Sequence, residues 1–270
     1  MTGFKPETQI MGILNVTPDS FSDGGEFFSL KAGLQRAYNL FELGADILDV
    51  GGESTRPGAE SVSVREEIRR LKPVVEELTS QGLGGRLSVD TRKREVIEWA
   101  VERGVGIIND VSGGSCGDDC LTQAAKAGVT YISMHMFKTP ETMQESPLNG
   151  SEACSEVEQF YSQTTTRFLN LGFPKDRIWL DPGIGFGKTD AANIQLLAQA
   201  TQLAKSYRLV IGVSRKSFLG RQLDIENPHD RDSASKMLEL GMIFSGVKAV
   251  RTHQVGPLVR FRKLLSDGCM

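Results

Sequence analysis

Short apolar runs rich in Val, Ile and Leu recur along the chain at 10–14, 46–50, 86–90, 106–109, 129–134, 178–181, 209–213 and 247–251. Their brevity and lack of strict alternation predict strands buried on both faces, as in a parallel sheet. Between them, apolar residues fall at helical spacing. Leu34, Ala37, Tyr38 and Phe41 form one stripe, Ile68, Leu71, Val75 and Leu78 a second, and Val96, Trp99 and Ala100 begin a third. Gly44, Gly104, Gly128 and Gly172 follow helical stretches, where left-handed caps are expected. Eight strand–helix units in 270 residues average about 34 residues each, the size of a βαβ repeat. The pattern predicts a single α/β domain over 1–270, a (β/α)8 TIM barrel. An open doubly wound sheet is the competing arrangement.

In such a barrel the loops after the strands build the active site at their C-terminal ends. The polar residues of this chain collect there. Asn15 follows the first run, and Thr55 and Arg56 lie in the loop after the second. Asp90, Asn109 and Asp181 end the third, fourth and sixth, Lys216 and Ser217 follow the seventh, and Arg251 and His253 close the eighth. One Asp or Asn at a strand end is an ordinary turn residue or helix cap. A polar group at nearly every strand end is what a small hydrogen-bonding ligand requires. Carboxylates and an amide facing Lys216 and Arg251 suit a flat heterocycle with several donors and acceptors, and a guanidinium can also stack on a ring face.

Composition narrows the class. Lys and Arg number 31 against 34 Asp and Glu, too balanced for a broad nucleic-acid surface. No apolar run approaches 18 residues, so no membrane span is expected. The N-terminal stretch MTGFKPETQ has no apolar core of a secretory signal, and the expectation is a cytoplasmic protein with reduced thiols. Cys116 and Cys120 have C-x3-C spacing without a second pair, which is not a structural zinc pattern.

Two phosphate motifs fail. Gly187, Lys188 and Thr189 imitate the end of a Walker A loop, but Pro182 stands where that loop needs Gly. Gly183, Gly185 and Gly187 are spaced GxGxG, not GxGxxG. An anion is better placed beside Arg251 and His253, where barrels frequently hold phosphate. His135 reads as a wall residue and His229 as an exposed one. No catalytic-zinc histidine cluster is present.

The strand-end motifs resemble those of the dihydropteroate synthase family. They are MGILNVTPDSFSDGG at 11–25, DVGGESTRPG at 49–58, SVDT at 88–91, NDV at 109–111, MHM at 134–136, DPGIGFGK at 181–188, SRKS at 214–217 and RTH at 251–253. They occur in family order from the first strand to the last. The resemblance implies an alkyl-group transferase of folate biosynthesis and a target of sulfonamides. It would condense 6-hydroxymethyl-7,8-dihydropterin diphosphate with 4-aminobenzoate. It implies that Asp90, Asn109, Asp181 and Lys216 hold the pterin, with Arg251 against its ring. Asn15, Thr55, Arg251 and His253 would take the diphosphate, and Asn15 would ligate the Mg2+ carried with it. Asn15, Lys216, Arg251 and His253 form the expected catalytic set. Phe21, Arg56, Pro57, Phe186, Lys216 and Ser217 are expected near 4-aminobenzoate. Small-molecule substrates and a homodimer are the implied partners.

The implied chemistry needs no strong general base. Diphosphate loss leaves a delocalised pterin cation, which a weakly basic aniline attacks. The requirements are leaving-group stabilisation and a cage that excludes water. Two positions depart from the family pattern. Phe137 and Lys138 replace a basic or Gln residue and Gly after the fifth strand, and Gln254 replaces Asp after His253. A pterin-binding methyltransferase and a non-catalytic pterin-binding paralogue are the alternative readings. The intact diphosphate and loop positions speak against both.

Overall fold

A computed structural model of the chain describes residues 7–16, 25–54, 61–138 and 145–267, without the side chains of 25–30 and 267. Phe21, Thr55, Arg56 and Pro57 lie outside the described residues. The strands are β1 (Gln9–Asn15), β2 (Ile47–Gly51), β3 (Leu87–Asp90), β4 (Ile107–Asp110), β5 (Thr130–Met134), β6 (Ile178–Asp181), β7 (Arg208–Gly212) and β8 (Ala249–Thr252). All pair in parallel, and β8 returns to β1 with Gln9 opposite Ala249. The sheet therefore closes into a barrel, which removes the open doubly wound alternative.

The helices are α1 (Gly25–Glu42), α2 (Val64–Ser80), α3 (Arg94–Glu102), α4 (Asp118–Lys126), α5 (Gly150–Asn170), α6 (Asp190–Leu203), α7 (Ser217–Leu223), α8 (Asp232–Phe244) and α9 (Val255–Asp267). Both α7 and α8 lie between β7 and β8, one helix more than simple alternation predicts. The expected strands agree with the observed ones to within two residues. The largest shift is at β8, where Val247 N instead donates to Met242 O and closes the end of α8. Gly44, Gly104, Gly128 and Gly172 all have positive φ, as expected of caps.

Helix α2 shows how local sequence sets these elements. Ser63 accepts from Glu66 N at 3.2 Å and caps the helix, and Glu66 and Glu67 complement the positive end of its dipole. Its stripe of Leu71, Val75 and Leu78 is fully buried against the barrel. Replacing Leu71 with Ala would cost about 2–5 kcal/mol.

Two apolar layers result. The larger lies between the strands and the surrounding helices. The smaller fills the barrel with Met11, Ile47, Ile107, Ile132, Trp179, Val210 and Ala249. Side chains repeat every second residue on one face of a strand. The next inward positions on four of these strands are therefore Asp49, Asn109, Asp181 and Arg251. The functional layer sits directly above the apolar plug.

Candidate active site

Arg251 spans the mouth of the barrel. Its Nε donates to Asp49 Oδ2 at 2.6 Å and its Nη2 to Asp90 Oδ2 at 2.8 Å. Asp49 also accepts from Ser88 Oγ at 2.6 Å and from Asn109 Nδ2 at 3.1 Å. This fully buried carboxylate thus organises groups from β3, β4 and β8. The sequence pattern alone assigns Asp49 no role. Its signal was present: a charged residue inside an apolar run, two positions after Ile47.

Asp90 is opposite Gly51 on β2 and Asn109 on β4. Its Oδ1 is buried without a hydrogen-bond partner. Burial pushes its carboxyl up to about 7, the Asp49 charge adds to this, and Arg251 opposes it. Gly51 separates Asp90 from Asn15, since a Cβ there would lie 3.5 Å from Asn15 Oδ1 and 3.8 Å from Asp90 Oδ2. Glycine keeps this gap open. Arg251 itself retains its charge: burial works against it, and Asp49 and Asp90 outweigh burial.

The opposite wall comes from β6 and the loop after it. Asp181 Oδ1 accepts from Gly183 N at 2.7 Å. Burial raises the Asp181 carboxyl, against the pull of that N–H and of Lys216, Arg251 and Lys188. Gly183 has φ +66°, and a Cβ there would meet His135 O at 1.9 Å, so no side chain fits. Phe186 packs with Val111 and Met134 at the rim. Lys216 Nζ stands 4.2 Å above the Phe186 ring, a cation–π contact. Desolvation pushes the Lys216 ammonium down to about 8.

Lys188 is the second residue that sequence reasoning missed. It is buried, and its ammonium donates to Gly183 O and Phe186 O at 3.0 Å and to His135 O at 3.3 Å. Burial lowers it to about 7. It ties the loop after β6 to the end of β5. The one-dimensional pattern marks it only as part of a failed phosphate motif and a family motif, because those carbonyls converge only once Gly183 turns. His135 is buried as a wall residue, its ring edge-on to Phe160 at 5.4 Å. His229 is exposed.

The seventh and eighth strand ends are joined directly. His253 N donates to Ser214 Oγ at 3.2 Å, and His253 Nδ1 lies 2.9 Å from the same oxygen. Lys216 stands at the position just before α7, whose first residue is the exposed Ser217. Asn15, Asp90, Asn109, Asp181, Phe186, Lys216, Arg251 and His253 thus all stand at the C-terminal ends of the strands or in the loops that follow them.

The sequence matches the family described as pterin binding enzyme over residues 11–253. It is 40% identical to dihydropteroate synthase of Synechocystis over 95% of this chain and 89% of the relative. The identity with the Escherichia coli dihydropteroate synthase is also 40%, over 95% of this chain and 90% of that protein. The chain belongs to the dihydropteroate synthase family. Among solved structures, dihydropteroate synthase of Xanthomonas albilineans with 4-aminobenzoic acid superposes with a TM-score of 0.86 at 38% identity. That match covers 97% of this chain and 93% of the other.

The departures from the dihydropteroate synthase pattern now have places. Phe137 packs against the outer core, and Lys138 adopts φ +64° with its Nζ 5.6 Å from the Phe137 ring. Gln254 Nε2 donates to Asp232 Oδ2 at 3.0 Å.

Proposed function

We propose that this dihydropteroate synthase family member condenses 6-hydroxymethyl-7,8-dihydropterin diphosphate with 4-aminobenzoate at the barrel mouth, releasing 7,8-dihydropteroate and diphosphate. The observation that carries the reading is the buried, unpartnered Asp90 Oδ1 within a layer that also holds Asn109, Asp181, Lys216 and Arg251. An unsatisfied buried oxygen is costly unless a ligand pairs with it. The hydrogen-bonding edge of a pterin supplies such donors.

Asp90, Asn109 and Asp181 fix the pterin edge, and Lys216 donates to a ring acceptor. Arg251 stays open to the mouth, with 22% of its side-chain surface exposed. It and His253 face the diphosphate. The C–O bond to diphosphate breaks first, and the electron pair leaves with the diphosphate. The aniline nitrogen then bonds to the methylene and loses its proton. Positive charge at the leaving group and exclusion of water carry the rate.

The donor set fits a Mg2+ that arrives with the diphosphate. Asn15 Oδ1 offers one amide oxygen beside the gap at Gly51, and Mg2+ commonly takes one or two protein oxygens together with phosphate and water. Bound there, Mg2+ would neutralise charge on the departing diphosphate. Phe186, Lys216 and Ser217, with Phe21, Thr55, Arg56 and Pro57 from outside the described residues, complete the assigned substrate contacts. A single domain, a cytoplasmic location and a homodimer belong to the same reading. No helix among the described residues is long and apolar enough to cross a membrane. Exposed Met237, Phe244 and Leu264 on α8 and α9 offer apolar surface to a second copy.

The test mixes the protein with Mg2+, the pterin diphosphate and 4-aminobenzoate and measures diphosphate release. Retained pterin binding without release would overturn the proposal.

A further inference from the structure

Arg215 lies between two residues of the site, Ser214 and Lys216, yet its side chain turns toward α8. It adopts φ +59°, a left-handed backbone that a residue with a Cβ holds only when its surroundings fix it. Those fixings are all present. Arg215 Nε and Nη2 donate to Asp232 Oδ1 and Oδ2 at 2.7 and 2.9 Å, a two-point pair. Arg215 N donates to Ser235 Oγ at 2.9 Å, and Arg215 O accepts from Arg231 Nη1 at 3.3 Å. Asp232 Oδ2 is shared, because Gln254 Nε2 donates to it at 3.0 Å. Gln254 N in turn donates to Thr252 Oγ1 at 3.1 Å.

The brace therefore crosses from the loop after β7, through the first residue of α8, to the residue after His253. On the site side the same two strand ends meet through Ser214 and His253. We propose that Gln254 is a positioning residue which, through Asp232 and Arg215, holds Ser214 and Lys216 in register with Arg251 and His253. This rests on the condensation proposed above. The feature that makes position 254 specific is chemical. Asp232 needs a donor there, and a carboxylate at 254 would set two anions against each other.

The charged groups facing Asp232 are Arg215 from the β7 loop, and Lys236 and Glu239 from its own helix. Arg215 first and Gln254 less strongly hold the Asp232 carboxyl below its ordinary range, against burial. Lys236 is itself engaged by Glu239 Oε2 at 2.6 Å and Thr252 Oγ1 at 3.1 Å. His253 faces Ser214. Lys236 is thus already paired and cannot fully quench a second carboxylate at 254.

The experiment measures steady-state diphosphate release by the full chain with Mg2+, the pterin diphosphate and 4-aminobenzoate at pH 8 and pH 5.5. The variants are Q254A, Q254E, D232N and Q254E/D232N, with thermal unfolding recorded for each. Q254A should raise KM for the pterin diphosphate about threefold and Q254E about tenfold at pH 8, with kcat changed less. At pH 5.5 the Q254E defect should shrink to that of Q254A, because one proton shared by the pair removes the repulsion. The double variant, with donor and acceptor exchanged, should recover much of the Q254E loss. A KM unchanged in Q254E, a defect equal at both pH values, or a double variant as impaired as the sum of its parts would overturn the proposal. A wild-type chain that releases no diphosphate would overturn the condensation itself, a separate outcome.

Discussion

Arg251 reaches past β1 from β8 to bond Asp49 on β2 at 2.6 Å, and Asp49 is fully buried. Among the described residues the carboxylate is compensated by this guanidinium and the Ser88 and Asn109 donors. Removing one partner of a buried pair strands the other, at a cost of about 3–5 kcal/mol. Asp49→Asn should therefore lower unfolding free energy by up to about 3 kcal/mol, with the amide recovering part of the loss. The kcat/KM should fall with it, since Arg251 loses one of its two anchors. A urea midpoint equal to wild type would show that Arg251 is held without Asp49.

Asp181 offers a different kind of test, because it is assigned to the ligand as well as to the scaffold. Its Oδ1 is committed to Gly183 N. Asp181→Asn should lower pterin affinity by about 2–4 kcal/mol, the loss expected when a charge-assisted pair to a buried group is broken. Calorimetric titration with the pterin diphosphate reads this directly. A near-neutral result would place the pterin elsewhere.

The site was legible where chemistry interrupts a period. Asp90, Asn109, Asp181 and Arg251 end apolar runs, and their strand-end placement follows from where those runs stop. Asp49 was equally legible, but it stands inside its run and was read as part of the strand. Lys188 was not legible, because its three carbonyl partners come from segments that meet only in three dimensions. The Gln254–Asp232 bond belongs to the same class. The sequence marked Gln254 as unusual, but its partner begins a helix 22 positions earlier that simple alternation did not anticipate.

Lys216 predicts an alkaline limb. Desolvation pushes its ammonium down to about 8, with Asp181 and Asp90 pulling it up and Arg251 pushing it down. The charged form donates to the pterin and predominates below that pH. The kcat/KM, which reports the free enzyme, should therefore fall above about pH 8, approaching tenfold per unit. Lys216→Arg carries a cation that does not titrate in this range. It should move the limb beyond reach even if its absolute rate is lower. An identical alkaline limb in the variant would assign the titration to another group.

His135 sets the acid side of stability. Burial, and secondarily the Lys188 charge, hold its ring down to about 3. Its Nδ1 is buried without a partner, so the native state offers a proton little there. The unfolded ring binds a proton at its ordinary value near 6.5. Between about 6.5 and 3 the unfolded chain thus holds a proton that the native chain refuses, and stability falls as pH falls through that window. Above 6.5 both states are neutral and this cost vanishes. His135→Gln has no such titration. Its Tm relative to wild type should drift upward by roughly 2–4 °C per pH unit between pH 6 and pH 4. Thermal unfolding at matched ionic strength checks this. A gap that stays constant from pH 7 to pH 4 would mean that the native barrel gives the His135 ring a proton partner after all.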